Sequence, residues 1–266
     1  MLISLTNYID SLEKKIKETL PGVFDLDEEA IHDFRVSLKK LRTVLNFLDY
    51  WSYGQTSKRP LMIQFKPIFK KTGRIRELQI HKSLVPIMAE LSGLEIDFLD
   101  KKINYQIIRN KKYLKQIVKA FEKKIPGIFR NIHKQISSAG KGKTRIDAAA
   151  TYQVRLGKRI QKQVNSAKAD LHQIRKTLKQ KVYIFDSLQE SELLSFYKEF
   201  RAEWKIMEST MGVWHDQKVF RIWLIPGLKW KRLNDQQYKA MIKLITYLRR
   251  TTDRMERELV KAMRGK

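Results

Sequence analysis

Apolar residues along this chain recur at spacings of three and four, and period-two alternation is rare, a pattern that predicts helices throughout. A first amphipathic helix runs to about Leu20, where Pro21-Gly22 should stop it. A second opens after Asp25 or Asp27, acids suited to a helix N-terminus, and reaches about Trp51. Two shorter helices are expected at about Leu61 to Lys71 and Ile75 to Leu91, the latter kinked at Pro86. A long basic helix follows from about Phe98 to Lys124 and ends before Ile125-Pro126-Gly127. SSAGKGKTR, residues 137–145, is small, polar and glycine-bearing, and reads as a linker. Beyond it the periodicity predicts helices at about Asp147 to Ser166, Ala169 to Leu188, Glu190 to Thr210, a shorter one after Gly212, and a last one from Asp235 to Met263. IPGLKW separates the final two.

The chain also matches itself. A shift of 140 residues aligns Ile31-His32 with Leu171-His172, Arg35 with Arg175, Leu38 with Leu178 and Lys39 with Lys179. A shift of 139 lays TGRIRELQI at 72 on MGVWHDQKV at 211, pairing Gly73 with Gly212 and Glu77 with Asp216. Two matches at nearly one offset exceed what a lysine-rich composition supplies. The expectation is a single domain over residues 1–266 built from two repeats, about 1–138 and 146–266, with the linker at about 137–145. The fold class is all-α: two helical bundles from an internal duplication, related by a pseudo-two-fold.

The repeated helix carries the chemistry. At about 100° per residue, with His32 at the origin, Arg35, Lys39 and Arg42 fall within an arc of about 80°. Phe34, Leu38, Leu41 and Leu45 form an adjoining apolar stripe, so a core face borders a cationic face about 15 Å long. Lys40 lies off the arc, although a long side chain can swing back. The second copy keeps His172, Arg175 and Lys179 on the arc and adds Tyr183. It has Val182 where the first copy has Arg42, Gln180 opposite Lys40, and Lys181 on the apolar side. Arginine offers phosphate a planar fork and lysine a mobile point charge. The second copy should therefore hold an anion more weakly.

Composition sharpens this reading. Net charge is +27, from 55 Lys and Arg against 28 Asp and Glu, which points to a polyanionic partner. From Lys101 to Lys181 stand 23 basic residues and three acidic ones, Glu122, Asp147 and Asp170. There are no cysteines, so disulfides and thiol chemistry are excluded. No apolar run reaches the length of a membrane span, and MLISLTNYIDSLEKKI is not expected to be a secretory signal.

The motif His-x-x-Arg-x-x-x-Lys-Lys-x-Arg, followed by a Gly/Arg/acid segment and then repeated, resembles that of the conserved-histidine α-helical domain, or CHAD, family. The resemblance covers about Leu2 to Met263. The first motif matches at His32, Arg35, Lys39, Lys40 and Arg42, and the second at His172, Arg175, Lys179 and Tyr183, departing at Gln180, Lys181 and Val182. The family's Gly-x-x-Arg-Asp segment corresponds to Gly73, Arg76 and Glu77, and to Gly212, His215 and Asp216. What the resemblance implies is two antiparallel helical bundles that bind inorganic polyphosphate in a basic groove or pore between them, without catalysis and without a metal or cofactor. With no barrel-like stretch in the sequence the expectation is a stand-alone member, and with no cysteines a cytoplasmic one, near the polyphosphate granules that the resemblance suggests.

A phosphate polymer suits the residues, since it offers no bases to stack on and needs many cations along a track. Arg155, Arg159 and Lys162 share a helix face at spacings of four and three and are candidates to extend that track; Lys111, Lys112, Lys115 and Lys119 are further candidates, although plain surface charge is the favoured reading for each. Neighbouring cations should keep His32 and His172 neutral in the empty protein, and affinity should rise as pH falls from about 8 to 6. Nucleic acid is the alternative polyanion, although no recognition-helix, RNP or zinc-finger pattern is present. His32-Asp33 and His215-Asp216 raise a metal-dependent phosphohydrolase, but too few acids lie near them to complete a ligand set. A membrane-surface or scaffold role is the remaining alternative.

Overall fold

The computed structural model describes residues 2–54, 58–139, 145–166, 169–187, 198–230 and 233–264, and among these every regular element is an α-helix. They are α1 Leu2–Asp25, α2 Glu28–Trp51, α3 Lys58–Ser92, α4 Phe98–Glu122, α5 Ile125–Ala139, α6 Arg145–Val164, α7 Leu171–Ser187, α8 Lys198–Gly227 and α9 Asp235–Arg264. None is long and apolar enough to cross a membrane.

Helix starts follow local chemistry. Asp27 caps α2 by accepting a hydrogen bond from the Ala30 N–H at 2.7 Å, and Glu28 and Glu29 occupy its first turn, where the helix dipole favours acids. Asp170 accepts similarly from the Gln173 N–H at the start of α7, at 3.1 Å. Several expected breaks are absent. α1 runs through Pro21-Gly22 because Leu20 and Val23 continue its buried stripe; it closes at Leu26, which takes a left-handed φ of 71°. Gly22 is needed there, because a Cβ would run into that of Ala30.

The two helices expected at 61–71 and 75–91 are one helix, α3, with Pro67 and Pro86 inside it. Both prolines lie on its exposed side, where water can satisfy the carbonyls they leave unpaired. The segments placed before and after Gly212 are likewise one helix, α8; residues 190–197 of the expected helix lie outside the described residues. α5, with Pro126 in its first turn, extends to Ala139 and takes in the first residues assigned to the linker, while 140–144 lie outside the described residues.

The helices pack in two groups, α1–α4 and α6–α9. In the first, α1 lies against α2 and α3 against α4; in the second, α6 lies against α7 and α8 against α9. The groups meet where α2 packs on α7 and α3 on α8. Phe34 and Phe121 meet edge to face at 6.0 Å inside the largest core cluster, which also reaches α7 through Ile184 and Phe185. Burying such side chains contributes about 1.5–3 kcal/mol each. A second cluster joins α3 and α4 to α8 and α9 around Phe220 and Met241, and a third joins α6 and α7 to α8 and α9 around Met211 and Trp214. The α2–α7 seam therefore sets the cationic faces of the two repeated helices side by side.

Candidate functional site

A cavity of about 660 Å³ opens at this seam, between α2, α3, α7 and α8. Of the thirteen residues expected from the sequence, it gathers His32, Arg35, Lys39, Arg76, Arg175 and Lys179. His215, Asp216 and Glu77 join them, and Ile80, Leu84, Ile87, Leu91 and Val213 form an apolar end. Low-dielectric walls beside fixed cations focus the field on whatever enters.

Each arginine of the repeated motif is seated on a glycine. Arg35 donates from Nη1 to the Phe69 carbonyl at 2.7 Å, and its guanidinium lies over the Phe69 ring at 4.5 Å. A Cβ on Gly73 would lie 2.8 Å from that Nη1, so glycine is what admits the side chain. Arg175 faces Gly212 more loosely, with Nη2 3.4 Å from where a Cβ would be. The two seats differ at two positions: Arg35 also donates to Thr72 Oγ1 at 3.3 Å, where the 139-residue offset places Met211, and the second difference is a charge. At the 139-residue offset Phe69 corresponds to Glu208, and Glu208 pairs with Lys179 at 2.8 Å and reaches Arg175 at 3.8 Å. The α7 cations are thus partly neutralised by α8. Among the described residues, no carboxylate pairs in this way with Arg35 or Lys39.

Burial and like charge shift the titrating groups of the cavity. Lys39 is pushed down to about 7, chiefly by burial and then by Lys179, Arg35, Arg175 and Arg42. Arg35 falls to about 10, again mainly through burial. Burial also raises Asp216, while Arg175, Lys179, Arg76 and Lys39 pull it back down. His32 is lowered by burial first and by Arg76 next, so the direction expected from neighbouring cations holds but desolvation leads. His215 is lowered to about 4 by burial and by Arg175, and it stacks on His172 with ring centroids 4.8 Å apart. At the apolar end His81, 1% exposed, packs against both Phe220 and Trp223, and neither of its ring nitrogens has a hydrogen-bond partner among the described residues.

The remaining expected residues lie elsewhere. His172 lines a neighbouring cavity of about 570 Å³ that shares His215 with the first. Lys40 does not line the main cavity, as its position off the arc implies. Arg42 does not line it either, although it is on the arc: its guanidinium turns onto the Phe69 ring at 5.5 Å. Tyr183 is half-buried behind the seam near Arg175 and Arg42, and burial, with Glu208, pushes its phenol up to about 12. Arg155 lies over the Tyr50 ring at 5.2 Å on the exposed face of α6, and Arg159 and Lys162 share that exposure; none of the three lines the cavity. Lys181, unaccounted for by its helical position, is buried with its ammonium 4.1 Å from the centre of the Trp204 ring and close to Gly157.

Sequence reasoning left out Glu208, His81 and Gln217. The repeat offset could have flagged Glu208 through Phe69, whereas nothing local marks His81. Among the described residues, the acids and histidines of the cavity do not converge to metal-ligand distances. Those that do are Asp10, Glu13 and His133, on α1 and α5, where His133 Nε2 meets Asp10 at 3.0 Å.

The sequence profile of the CHAD domain matches residues 7–225. The chain belongs to the CHAD family. CHAD domains are non-catalytic, and the protein is accordingly not an enzyme. The fold is similar to the crystal structure of the CHAD domain from the plant Ricinus communis, 14% identical with a TM-score of 0.74, over 97% of this chain and 91% of that one. It is also similar to PptA from Streptomyces chartreusis, 12% identical with a TM-score of 0.64, over 100% of this chain and 99% of that one. At such identities the likeness is one of fold. No curated protein matches the chain in sequence. The CHAD profile stops short of α9, yet Met241, Leu244 and Leu248 of α9 are needed to complete the core beside α3 and α8.

Proposed function

We propose that the cavity binds inorganic polyphosphate, held without chemistry by cations from both halves of the chain. The observation that carries this reading is Lys39, an ammonium desolvated among Arg35, Arg175 and Lys179 with no carboxylate in contact among the described residues. Such a convergence is costly in an empty site and is relieved when an anion enters. No Phe, Tyr or Trp of the described residues lines the cavity, so it offers phosphates a charged track but bases no platform. That favours a base-free polymer over nucleic acid at this site. The binding residues of the proposal are His32, Arg35, Lys39, Arg76, Arg175 and Lys179, and the α2–α3 side is the stronger because Glu208 competes for the α7 cations.

The same reading makes the chain one CHAD domain of two duplicated units, residues 1–138 and 146–266, related by a pseudo-two-fold. Support comes from the paired seats, Arg35 on Gly73 and Arg175 on Gly212. Residence in the cytoplasm near polyphosphate granules would follow from such a ligand.

The test is long-chain polyphosphate affinity near physiological salt, with duplex DNA as competitor. The wild type should bind tightly and resist DNA at matched charge. Arg35→Ala/Arg175→Ala should lose at least about tenfold, since hydrogen bonds to charged groups contribute about 1.5–3 kcal/mol each, with Arg35→Ala alone losing more than Arg175→Ala. Equal competition by DNA, or an unchanged affinity in a double variant that still melts cooperatively, would return the cavity to a generic basic surface.

A further inference from the structure

A second basic face lies away from the seam, where α3 runs beside α4. A groove of about 580 Å³ there is bounded by Lys71 and Arg74 of α3, by Lys102, Tyr105, Arg109 and Tyr113 of α4, and by Trp230 after α8. Tyr105 is 66% exposed and Tyr113 61%. Aromatic side chains of that size usually bury their rings, and these two stand in water beside cations. Eight positions separate them on α4, which is about 12 Å along the axis and about 80° around it, with Arg109 between. Lys71 lies over the Tyr113 ring at 5.0 Å and donates to Asn110 Oδ1 at 2.7 Å; Lys102 lies 5.8 Å from the Trp230 ring. No acidic residue lines the groove among the described residues.

We propose that this outer face binds single-stranded nucleic acid. The chemistry is the converse of the central cavity's. There, cations converge with no aromatic platform; here, cations alternate with exposed rings along one helix, the arrangement that tracks a sugar-phosphate backbone while bases stack. Polyphosphate gains nothing from a tyrosine face. A duplex would have to be unstacked before its bases met rings on a convex helix, whereas a single strand already has bases to splay. A protein partner is disfavoured, because the centre of a protein interface is depleted of charge and this groove concentrates cations of one sign. The site is separate from the cavity, so the two assignments stand or fall independently.

The test is fluorescence anisotropy with labelled oligo(dT), oligo(U) and an abasic strand of the same length and charge, near physiological salt. Removing the bases should weaken binding about tenfold or more, the range expected for stacking. Tyr105→Ala/Tyr113→Ala should bring oligo(dT) down to the abasic level, and Tyr105→Phe/Tyr113→Phe should keep most of the affinity. The alanine pair should leave polyphosphate binding unchanged, and Arg35→Ala/Arg175→Ala should leave oligo(dT) binding unchanged. Tighter binding of either sugar supports the site and identifies its ligand. Equal binding of abasic and base-bearing strands, poly-glutamate binding as tight as oligo(dT), or full retention in the alanine pair would overturn it. Both tyrosines project into solvent, so loss of fold is not expected, and matched melting curves check it.

Discussion

At Lys39 an ammonium group lies between Arg35 on its own helix and Arg175 and Lys179 on α7, and burial with these charges brings its pKa to about 7. An unfolded lysine titrates near 10.4. Between about pH 7 and 10 the folded, empty protein therefore binds fewer protons here than the unfolded chain, and this residue's contribution to stability improves as pH rises through that window. Below about pH 7 both states are protonated and the penalty is complete. A bound polyanion acts in the opposite sense: it favours the ammonium, so the complex takes up a proton and affinity falls as pH rises from about 7 to 9. Titration calorimetry at pH 8 in two buffers of different ionisation enthalpy should detect that uptake. Lys39→Arg, charged throughout, should bind without it; uptake that persists in this variant would assign the proton to another group. The histidines titrate lower than the sequence alone suggests. His32 is depressed by burial and His215 reaches about 4, so the pH dependence expected between 6 and 8 passes in its upper part to Lys39.

At the scale of elements, the seating of the α2 arginine on α3 depends on Gly73, whereas that of the α7 arginine on α8 leaves room for a methyl at Gly212. Gly73→Ala would place a methyl 2.8 Å from the Arg35 guanidinium, which must then leave the Phe69 carbonyl. Gly212→Ala would meet Arg175 at 3.4 Å, an ordinary contact. Alanine is the better helix former by about 1 kcal/mol, which offsets part of the about 1.5–3 kcal/mol of the charged hydrogen bond lost in Gly73→Ala, so neither variant should be severely destabilised. Polyphosphate affinity should nevertheless fall several-fold in Gly73→Ala and stay within about twofold in Gly212→Ala. Calorimetric Kd values for the pair check this, and equal losses would mean that the seating of Arg35 does not govern binding. These glycines also mark how far the sequence was legible. The helical period found the elements, and the 139-residue offset found Gly73 and Gly212. Local cost rules then split α3 and α8 at those same glycines, because a glycine's penalty is visible in sequence while the guanidinium packed on it is not. The helical wheel likewise placed Arg42 on the cationic arc correctly but gave no sign of the Phe69 ring that draws it aside. Arg155, Arg159 and Lys162 share a face, yet which neighbour that face meets is fixed by packing between helices rather than by spacing within one.

Taken as a whole, the molecule carries +27, with Arg35, Lys39, Arg76, Arg175 and Lys179 converging at the seam, and self-repulsion of that kind opposes the compact state. Salt at physiological strength screens exposed charges beyond about 8 Å but screens those at the buried seam much less. Thermal stability should thus rise modestly with added salt and more steeply with polyphosphate. At 100 times Kd, a ligand bound only by the folded state adds about 2.7 kcal/mol, which for a chain near this size is roughly 5–10 °C in Tm. Lys39→Met separates stability from function. It keeps an apolar stem of similar length, removes one desolvated charge from beside Arg35, Arg175 and Lys179, and leaves no acid without its partner. The variant should melt above the wild type when empty and gain less from polyphosphate, the pattern expected when a binding site is held at a cost to the fold. Scanning fluorimetry of both proteins, at low and physiological salt, with and without the polymer, measures all of these terms together. A Lys39→Met protein that melts below the wild type when empty would show that the ammonium is already satisfied within the fold. The cavity would then lose its strongest reason to hold an anion.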